Sequence, residues 1–326
     1  MRKVSIITPV YNGEKYVIPF FESLLNQTFK DFQLIIINDG SIDNTAAIIN
    51  DYKNHFKEKN IEVIAINSVQ NIGAAGSVNL GLKYVNSSFF MWLDADDLLT
   101  PDSLEKRIEF MENNPSLDLC ICDAYEVIYP NYKKINRVIE KPCKDNDYFL
   151  DVLQMKNVLW TPGSVFCKTS FLKQRISAIY ESKVGQNIQL LLPLLYQSTY
   201  EYMNIPLYIV VAHNDSDSRK SKTINEQFYR CQQCYVTTIS TLSNMNLTFD
   251  EFNNYSQIAL NTYFINMANC SLLYGDKKLA IYYYDKLDKE FKRSVNIKKN
   301  NFPINILRKI KYFIKRMIKR EAVNHN

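Results

Sequence analysis

The sequence predicts an α/β fold in which a doubly wound, mostly parallel sheet is followed by a helical region. Strand and helix patterns alternate through the first hundred residues, which is typical of repeated β-α units. The strand segments are nearly continuous apolar runs, as expected when helices cover both faces of a sheet. From residue 226 to about 295 the pattern is helical throughout and rich in Tyr and Asn.

Four strand–helix units fill the first 115 residues. Apolar, β-rich runs alternate with segments whose apolar residues recur every three or four positions. Asp43 or Asn44 is expected to cap the second helix, and Pro101 to be the first residue of the fourth. The predicted strands are 4–8, 32–37, 61–66 and 89–93, and the predicted helices are 16–25, 44–55, 73–85 and 101–112.

The chain beyond residue 116 is less regular, and a polar stretch at 218–223 marks a soft boundary. Strands are expected at 117–128, 164–167 and 208–211, and helices at 147–154 and 188–195. We therefore expect one domain over 1–220, with halves 1–115 and 116–220, then a helical region over 221–300 and a tail over 301–326.

The composition is that of a globular protein. Of the 326 residues 46% are hydrophobic and 22% are charged, which excludes wholesale disorder. The seven cysteines are odd in number and irregularly spaced, which argues against a secreted disulfide framework and for a reducing compartment. The first residues lack the apolar core of a signal peptide, and no stretch is apolar enough for a transmembrane span. We therefore expect a cytoplasmic protein.

Polar clusters follow four of the predicted strands. They are Tyr11-Asn12, Asp39-Gly40, Asn71 and the acidic run 94–97. Ligands of doubly wound sheets bind beyond the carboxyl ends of the strands. Four polar strand ends at one edge therefore predict a binding site there.

The Asp94-Ala95-Asp96 motif points to a cation. Two carboxylates at the end of a buried strand are costly unless positive charge lies close to them. Mg²⁺ or Mn²⁺ favours such oxygen ligands and also binds phosphates. In the alternative interpretation these acids cap the following helix or line a solvated turn. The three other polar clusters at this edge favour the metal.

Four segments in register resemble the family 2 glycosyltransferases of the Rossmann-like GT-A fold. They are Ser5-Ile-Ile-Thr-Pro-Val-Tyr-Asn-Gly-Glu14, Asn38-Asp-Gly-Ser-Ile-Asp-Asn-Thr45, Asn71-Ile-Gly73 with Asn79-Leu-Gly81, and Leu93-Asp-Ala-Asp-Asp97. The resemblance extends over residues 3 to 218 and implies an inverting, metal-dependent hexosyltransferase. It would move a sugar from a nucleotide sugar, UDP-linked, to a saccharide or lipid-linked saccharide in cell-surface polysaccharide synthesis.

The resemblance also implies residue roles, with the nucleotide sugar bound in 1–115 and the acceptor on the side of 116–220. Mn²⁺ or Mg²⁺ would be held by Asp96 and His213. The nucleotide sugar would contact Pro9, Tyr11, Glu14, Asp39, Asn71, Gly73, Asp94, Ala95 and Asp96, and the acceptor would contact Trp160, Gly163, Gln186 and Asn187.

Two positions depart from the family pattern. Val78 precedes Asn79 where the family often carries an Arg, so diphosphate contacts would come from elsewhere. Gln186 and Asn187 align with a Gly-Glu-Asp segment whose Asp is the usual base, and amides cannot accept a proton at physiological pH.

Three interpretations of this departure remain open. Glu181 or Asp97 serves as the base, or the amides bind acceptor hydroxyls while a phosphate or water takes the proton. In the third, the protein binds a nucleotide sugar without turning it over.

The C-terminal tail is basic and amphipathic. Nine Lys or Arg and no acid lie between 298 and 320, so the rest of the chain is mildly acidic despite the net charge of +5. Apolar residues recur at helical steps among these cations, which predicts membrane-surface binding through 303–320 at the inner face of the cell membrane. The alternatives are a tail that packs on the helical region and a membrane scaffold without catalysis. No nucleic-acid motif accompanies the cations.

We interpret Cys231-Gln-Gln-Cys234 as two incidental thiols because no second such pair or suitable His lies nearby.

Overall fold

The computed structural model describes residues 2–137, 147–155, 161–182, 184–214 and 223–294. Trp160 and the tail 301–326 lie outside these ranges. The chain divides into two compact units, residues 1–220 with 240–247 and residues 221–239 with 248–326.

Four parallel strands form the first half of the sheet in the first unit. They pair in the order β3-β2-β1-β4. All residues of β2 are buried, as its continuous apolar run predicted. The strands are β1 (Val4–Val10), β2 (Phe32–Asn38), β3 (Glu62–Asn67) and β4 (Phe89–Trp92).

The predicted helices of this region are present. The first of them buries Val17, Phe20, Phe21 and Leu24, which have the three- and four-residue spacing of one helix face. The helices are α1 (Val17–Leu25), α2 (Thr45–Glu58), α3 (Gly73–Leu82) and α4 (Ser103–Asn113).

One helix start differs in detail from the prediction, and another agrees with it. Pro101 is not the first residue of α4, which begins at Ser103 after a turn that contains the proline. The chain enters this turn from a short strand that the sequence pattern did not reveal. At α2 the N-cap position is Asn44, but the capping bond comes from Asp43, whose Oδ1 accepts from Thr45 N at 3.0 Å.

The second half of the sheet is mixed. β8 is antiparallel to both β4 and β6, whereas β6 and β9 are parallel. β5 pairs with β9 and β7 with β6, both antiparallel. Most paired residues therefore lie in parallel ladders, but β5, β7 and β8 reverse direction. The strands are β5 (Leu98–Leu99), β6 (Leu119–Ile128), β7 (Lys133–Arg137), β8 (Val165–Lys168) and β9 (Tyr200–Ala212).

Strand β9 is longer than the predicted 208–211. Its first half carries Asn204 and Pro206, which interrupt the strand pattern, and its register against β6 shifts between Cys122 and Ala124. This irregularity hid half of the strand from sequence analysis.

Three further helices and a single 3₁₀ turn complete the described part of this unit before the end of β9. Asp147 caps α5, because its Oδ1 accepts from Leu150 N at 2.9 Å. The predicted helices 147–154 and 188–195 are thus present. The helices are α5 (Tyr148–Leu153), α6 (Thr169–Arg175) and α7 (Gln186–Leu195), and the 3₁₀ turn is Pro162–Ser164.

The second unit is helical in its described part, as predicted for 226–295. Thr248 and Glu251 form a capping box at the start of α9. Ala268, Ala280 and Tyr284 belong to a small core between α9 and α10. None of the helices in the described ranges is long and apolar enough to cross a membrane. The helices are α8 (Ile224–Ser243), α9 (Phe249–Leu273), α10 (Lys277–Lys286) and α11 (Lys289–Ser294).

Candidate active site

The carboxyl ends of six strands meet at one edge of the sheet. β1 to β4 are parallel to one another, and β6 runs in the same direction because β8 is antiparallel to both β4 and β6. β9 is parallel to β6. The loops after these strands therefore lie at the edge where ligands of such sheets bind.

The two predicted metal ligands are in direct contact at this edge. Asp96 Oδ2 lies 2.8 Å from His213 Nε2, although 117 positions separate the residues in the chain. The His213 side chain is 5% exposed and that of Asp96 is 37% exposed. The His213 ring packs on Tyr16, with ring centroids 4.1 Å apart, and its Nδ1 is buried without a hydrogen-bond partner in the described ranges. Packing on Tyr16 and the contact with Asp96 together hold the ring in place.

This pair fits a divalent cation. Adjacent ligands of an octahedral ion with bonds of about 2.1 Å lie ~3.0 Å apart, close to the observed separation. Mg²⁺ is commonly held by one or two protein groups, with water and substrate phosphates filling its other positions. Among the described residues no group of three or more His, Cys, Asp or Glu side chains is arranged to hold a metal. A site at Asp96 and His213 would thus depend on substrate oxygens for its remaining ligands.

The neighbouring carboxyl groups differ in environment. Burial, followed by the charge of Asp96, raises the pKa of Asp94 to about 7. Ala95, between the two acids, is buried in the core. Asp94 and Asp96 on either side of it are partly exposed, so two carboxyl groups are accessible where a cation would bind.

Asp97 does not fit the predicted role of catalytic base. Only 5% of the residue is exposed, and its Oδ1 accepts from Val211 N at 2.8 Å. Its Oδ2 accepts from the Tyr208 hydroxyl. Burial, followed by the charges of Asp96 and Asp94, raises the pKa of Asp97 well above its usual range. A base must reach its substrate, whereas both oxygens of this carboxyl are bound within the fold.

The loops after β1 and β2 are joined by reciprocal hydrogen bonds. Asn12 N donates to Ser41 Oγ at 2.9 Å, and Asn12 Oδ1 accepts from Ile42 N at 2.9 Å. Glu14 Oε2 accepts from both the backbone and the side-chain nitrogen of Asn44 at 3.1 and 3.0 Å. Glu14, predicted to contact the nucleotide, thus uses this oxygen to hold the two loops together.

Pro9 and Tyr11 occupy the end of β1. Pro9 lies opposite Ile37 in the parallel ladder and is partly exposed. Tyr11 is 49% exposed, so its ring is accessible to a ligand. Of these two residues, Tyr11 has the geometry of a stacking platform.

Asp39 joins the loop after β2 to the start of α3. The residue is buried, and its Oδ1 accepts from Ile72 N at 2.8 Å. Asn71 Oδ1 accepts from Gly73 N at 3.1 Å, which closes a short turn in the same loop. Asp39, Asn71 and Gly73 are therefore brought together, as the motifs predicted. Their carboxylate and backbone groups therefore lie together at this edge of the sheet.

Gly40 permits the close approach of these loops. Its φ is +69°, and a Cβ atom there would lie 2.6 Å from Gln70 C and 2.7 Å from Asn71 N. A larger residue could not occupy this position without moving the backbone that carries Asn71.

The predicted acceptor residue Gly163 also lies at this edge. β8 is antiparallel to β4, so the 3₁₀ turn Pro162–Ser164, which directly precedes β8, lies on the side of the carboxyl end of β4. A Cβ on Gly163 would lie 2.3 Å from Tyr208 Cε2, so the turn packs directly against that ring.

Glu181 lies in the segment before α7, and Gln186 and Asn187 are the first two residues of that helix. Gln186 Nε2 donates to Ser182 O at 3.0 Å, and Glu181 is exposed. Asn187 lies in the first turn of α7 and is partly exposed. Of the two predicted candidates for the base, Glu181 and Asp97, only Glu181 therefore has an exposed carboxylate.

Comparison with known proteins identifies the family. The model of "Glycosyl transferase family 2" matches residues 5–176, which is more than half of the chain. The chain belongs to glycosyl transferase family 2.

Two curated relatives of this family 2 chain are uncharacterized glycosyltransferases from Rickettsia. That of Rickettsia typhi is 34% identical over 125 residues, which cover 38% of this chain and 37% of the relative. That of Rickettsia bellii is 40% identical over 112 residues, which cover 34% of this chain and 15% of the relative. The chain thus spans well under half the length of these relatives.

Solved structures confirm the GT-A fold of the family 2 chain. S. aureus TarS 1–349 in complex with UDP-GlcNAc is similar with a TM-score of 0.59 and 16% identity, over 90% of this chain and 92% of that one. The mannosyltransferase PcManGT from Pyrobaculum calidifontis, in complex with GDP-Man and Mn²⁺, has a TM-score of 0.52 and 13% identity, over 94% and 85% of the two chains.

Four residues of this region were not assigned by sequence analysis. Tyr16 orients His213, Asn79 holds the segment of Glu181 by bonds to both Ile179 N and O, and Tyr208 holds Asp97. Arg107 is fully buried and donates to Gly163 O at 2.8 Å and Ser164 O at 3.3 Å. A signal for Arg107 existed, since it lies on the apolar face of α4 that includes Leu104, Ile108 and Met111.

Proposed function

We propose that this chain transfers a sugar from a UDP-linked donor to a saccharide or lipid-linked saccharide, with inversion at the anomeric carbon. The observation that carries the proposal is the contact of Asp96 with His213 at the same sheet edge as the buried Asp39. Such an edge offers a cation site for the diphosphate and polar groups for the nucleoside.

The nucleoside would bind on the side of β1 to β3. Asp39 uses Oδ1 within the fold, which leaves Oδ2 to accept from a ribose hydroxyl or base N–H. Tyr11 offers a half-exposed ring for stacking. A uracil base is favoured because TarS, which has a similar fold, binds UDP-GlcNAc. PcManGT binds GDP-Man, so the choice of base needs a direct test.

Asp96 and His213 would hold Mn²⁺ or Mg²⁺. When bound, this ion would neutralise charge on the departing diphosphate. No Arg precedes Asn79, because Val78 occupies that position and is buried. Asp94, at the same sheet edge as the turn of Gly163, would lie between the diphosphate and the acceptor side.

The acceptor would bind near Gly163 and the start of α7. Glu181 is our candidate for the base because it is exposed and Asp97 is not. Gln186 and Asn187 would bind acceptor hydroxyls, since amides both donate and accept hydrogen bonds. A cytoplasmic protein bound to the inner face of the membrane through 303–320 would meet lipid-linked acceptors there.

Nucleotide titration tests this proposal. Calorimetry with UDP and with GDP, each with and without Mn²⁺, should reveal Mn²⁺-dependent UDP binding. Asp96→Ala should weaken that binding roughly tenfold or more. The matched control is Asp102→Ala, which removes a carboxylate of a nearby turn that pairs with Lys106 at 2.5 Å and should bind UDP normally. Equal UDP affinity in wild type and Asp96→Ala would overturn the cation site.

A second candidate function is nucleotide-sugar binding without turnover. It is favoured by one observation, the amides Gln186 and Asn187 where an acid would serve as base. Release of UDP from UDP-sugars in the presence of saccharide acceptors separates the two functions. For the transferase, we expect Glu181→Gln to lower UDP release by roughly 10²–10⁴-fold with UDP affinity unchanged. Tight UDP binding with no release under any acceptor would instead support the binding protein.

A further inference from the structure

We propose that Asp97 and Tyr208 are positioning residues that set the spacing of the Asp96–His213 pair and thereby the affinity for a divalent cation. This inference rests on the proposed role of that pair as the metal site. It replaces the predicted role of Asp97 as a base with a structural explanation for a buried acid.

Asp97 links the two chain segments that carry the ligands. It follows Asp96 directly, and it accepts from the backbone N–H of Val211, two residues before His213. Leu98 and Leu99 then pair with Ile209 and Tyr208, so the acidic turn continues into the β5–β9 ladder. One carboxyl group therefore fastens the end of β4 to the end of β9 beside the 2.8 Å contact.

Tyr208 fixes the other oxygen of Asp97. Its side chain is fully buried, and its hydroxyl donates to Asp97 Oδ2. The ring cannot retreat, because Gly163 packs against it so closely that a Cβ would lie 2.3 Å from Cε2. Arg107 in turn holds the carbonyl oxygen of Gly163 at 2.8 Å. The Asp97 carboxyl is thus held from two sides by buried, closely packed groups.

The cost of burying Asp97 supports a specific purpose. A buried carboxyl is unfavourable without partners, and Asp97 bonds to a neutral hydroxyl and a neutral backbone N–H. These two bonds fix the orientation of the Asp97 carboxyl beside Asp96. Groups that orient metal ligands from behind typically change affinity by about 10–100-fold when removed.

A pair of Tyr→Phe variants tests the inference. Tyr208→Phe removes the hydroxyl bond to Asp97 and should weaken Mn²⁺ binding roughly tenfold, measured as the free Mn²⁺ signal in electron paramagnetic resonance titrations of the full chain. The matched control is Tyr202→Phe, which removes a hydroxyl bond to Asp123 on the same strand, away from the acidic turn. It should leave Mn²⁺ affinity within about twofold of wild type.

The outcomes are distinguishable. Unchanged Mn²⁺ affinity in Tyr208→Phe, or equal losses in both Tyr variants, would overturn the positioning role. If Tyr208→Phe does not fold, Asp97→Ala replaces it, because it removes the acceptor of both the Val211 and the Tyr208 bonds. A wild-type Mn²⁺ affinity in that variant would also overturn the role. Equal Mn²⁺ binding by wild type and Asp96→Ala would instead refute the metal site on which the inference rests.

Discussion

Replacing Gly40 with Ala should destabilise the loops that carry Asp39 and Asn71. The residue has a φ of +69°, a conformation that costs an L side chain about 1–2 kcal/mol. The added Cβ would also lie 2.6 Å from Gln70 C, whereas ordinary contact begins at 3.4 Å. Since the obstacle is backbone, relief requires the loop itself to move, which adds about 1–3 kcal/mol.

Gly73→Ala is the matched control for this variant. Gly73 has a similar φ of +81°, but a Cβ there would meet no atom within 4 Å. The control therefore carries only the conformational cost of about 1–2 kcal/mol. We expect Gly40→Ala to lower the free energy of unfolding by about 2–5 kcal/mol in total.

Urea unfolding of both variants, followed by circular dichroism, measures these free energies. Gly40→Ala should be the less stable variant by the steric contribution. A loss in Gly40→Ala equal to or smaller than that in Gly73→Ala would refute the inferred clash between the two loops.

Two further perturbations have definite expected results. Asn79→Ala removes two hydrogen bonds, of 2.7 and 2.8 Å, to the backbone of Ile179. It should accelerate amide hydrogen exchange over residues 177–182 roughly tenfold or more. Unchanged protection of these amides in hydrogen-exchange mass spectrometry would contradict this expectation. The sulfur atoms of Cys231 and Cys270 lie 3.6 Å apart, although 39 positions separate the residues in the sequence. A low-molecular-weight disulfide should therefore oxidise the two thiols to a Cys231–Cys270 disulfide and itself be reduced to two thiols. Thermal melting should show that this disulfide stabilises the protein by roughly 4 kcal/mol. In mass spectrometry the disulfide should be absent from Cys270→Ser and present in the control Cys234→Ser.

Sequence analysis was most accurate where local pattern and burial agree. β2 was located to within one residue because its run is apolar throughout, and α1 because one face repeats at helical spacing. The motif residues Asp39, Asn71 and Asp96 were expected at one edge because strand direction follows from repeated β-α units. The structure brings them to that edge.

Other features depend on partners distant in the chain. The reversed direction of β8 is set by pairing with β4 and β6, and nothing in four residues encodes a direction. Asp97 was a candidate for the base by its place in the motif, yet it is buried and bonded to Tyr208, 111 positions away. The two residues of β5 form a strand only because β9 lies beside them.

The reciprocal bonds between the loops after β1 and β2 have a consequence for ligand association. Asn12 and Glu14 tie their loop to Ile42 and Asn44 by hydrogen bonds within the protein itself. These two loops are therefore preorganised, and a nucleotide that binds there loses little affinity to the entropy cost of ordering them. Any rate-limiting closure of the protein around its donor should originate elsewhere. NMR relaxation measurements should find the loops after β1 and β2 rigid both with and without UDP.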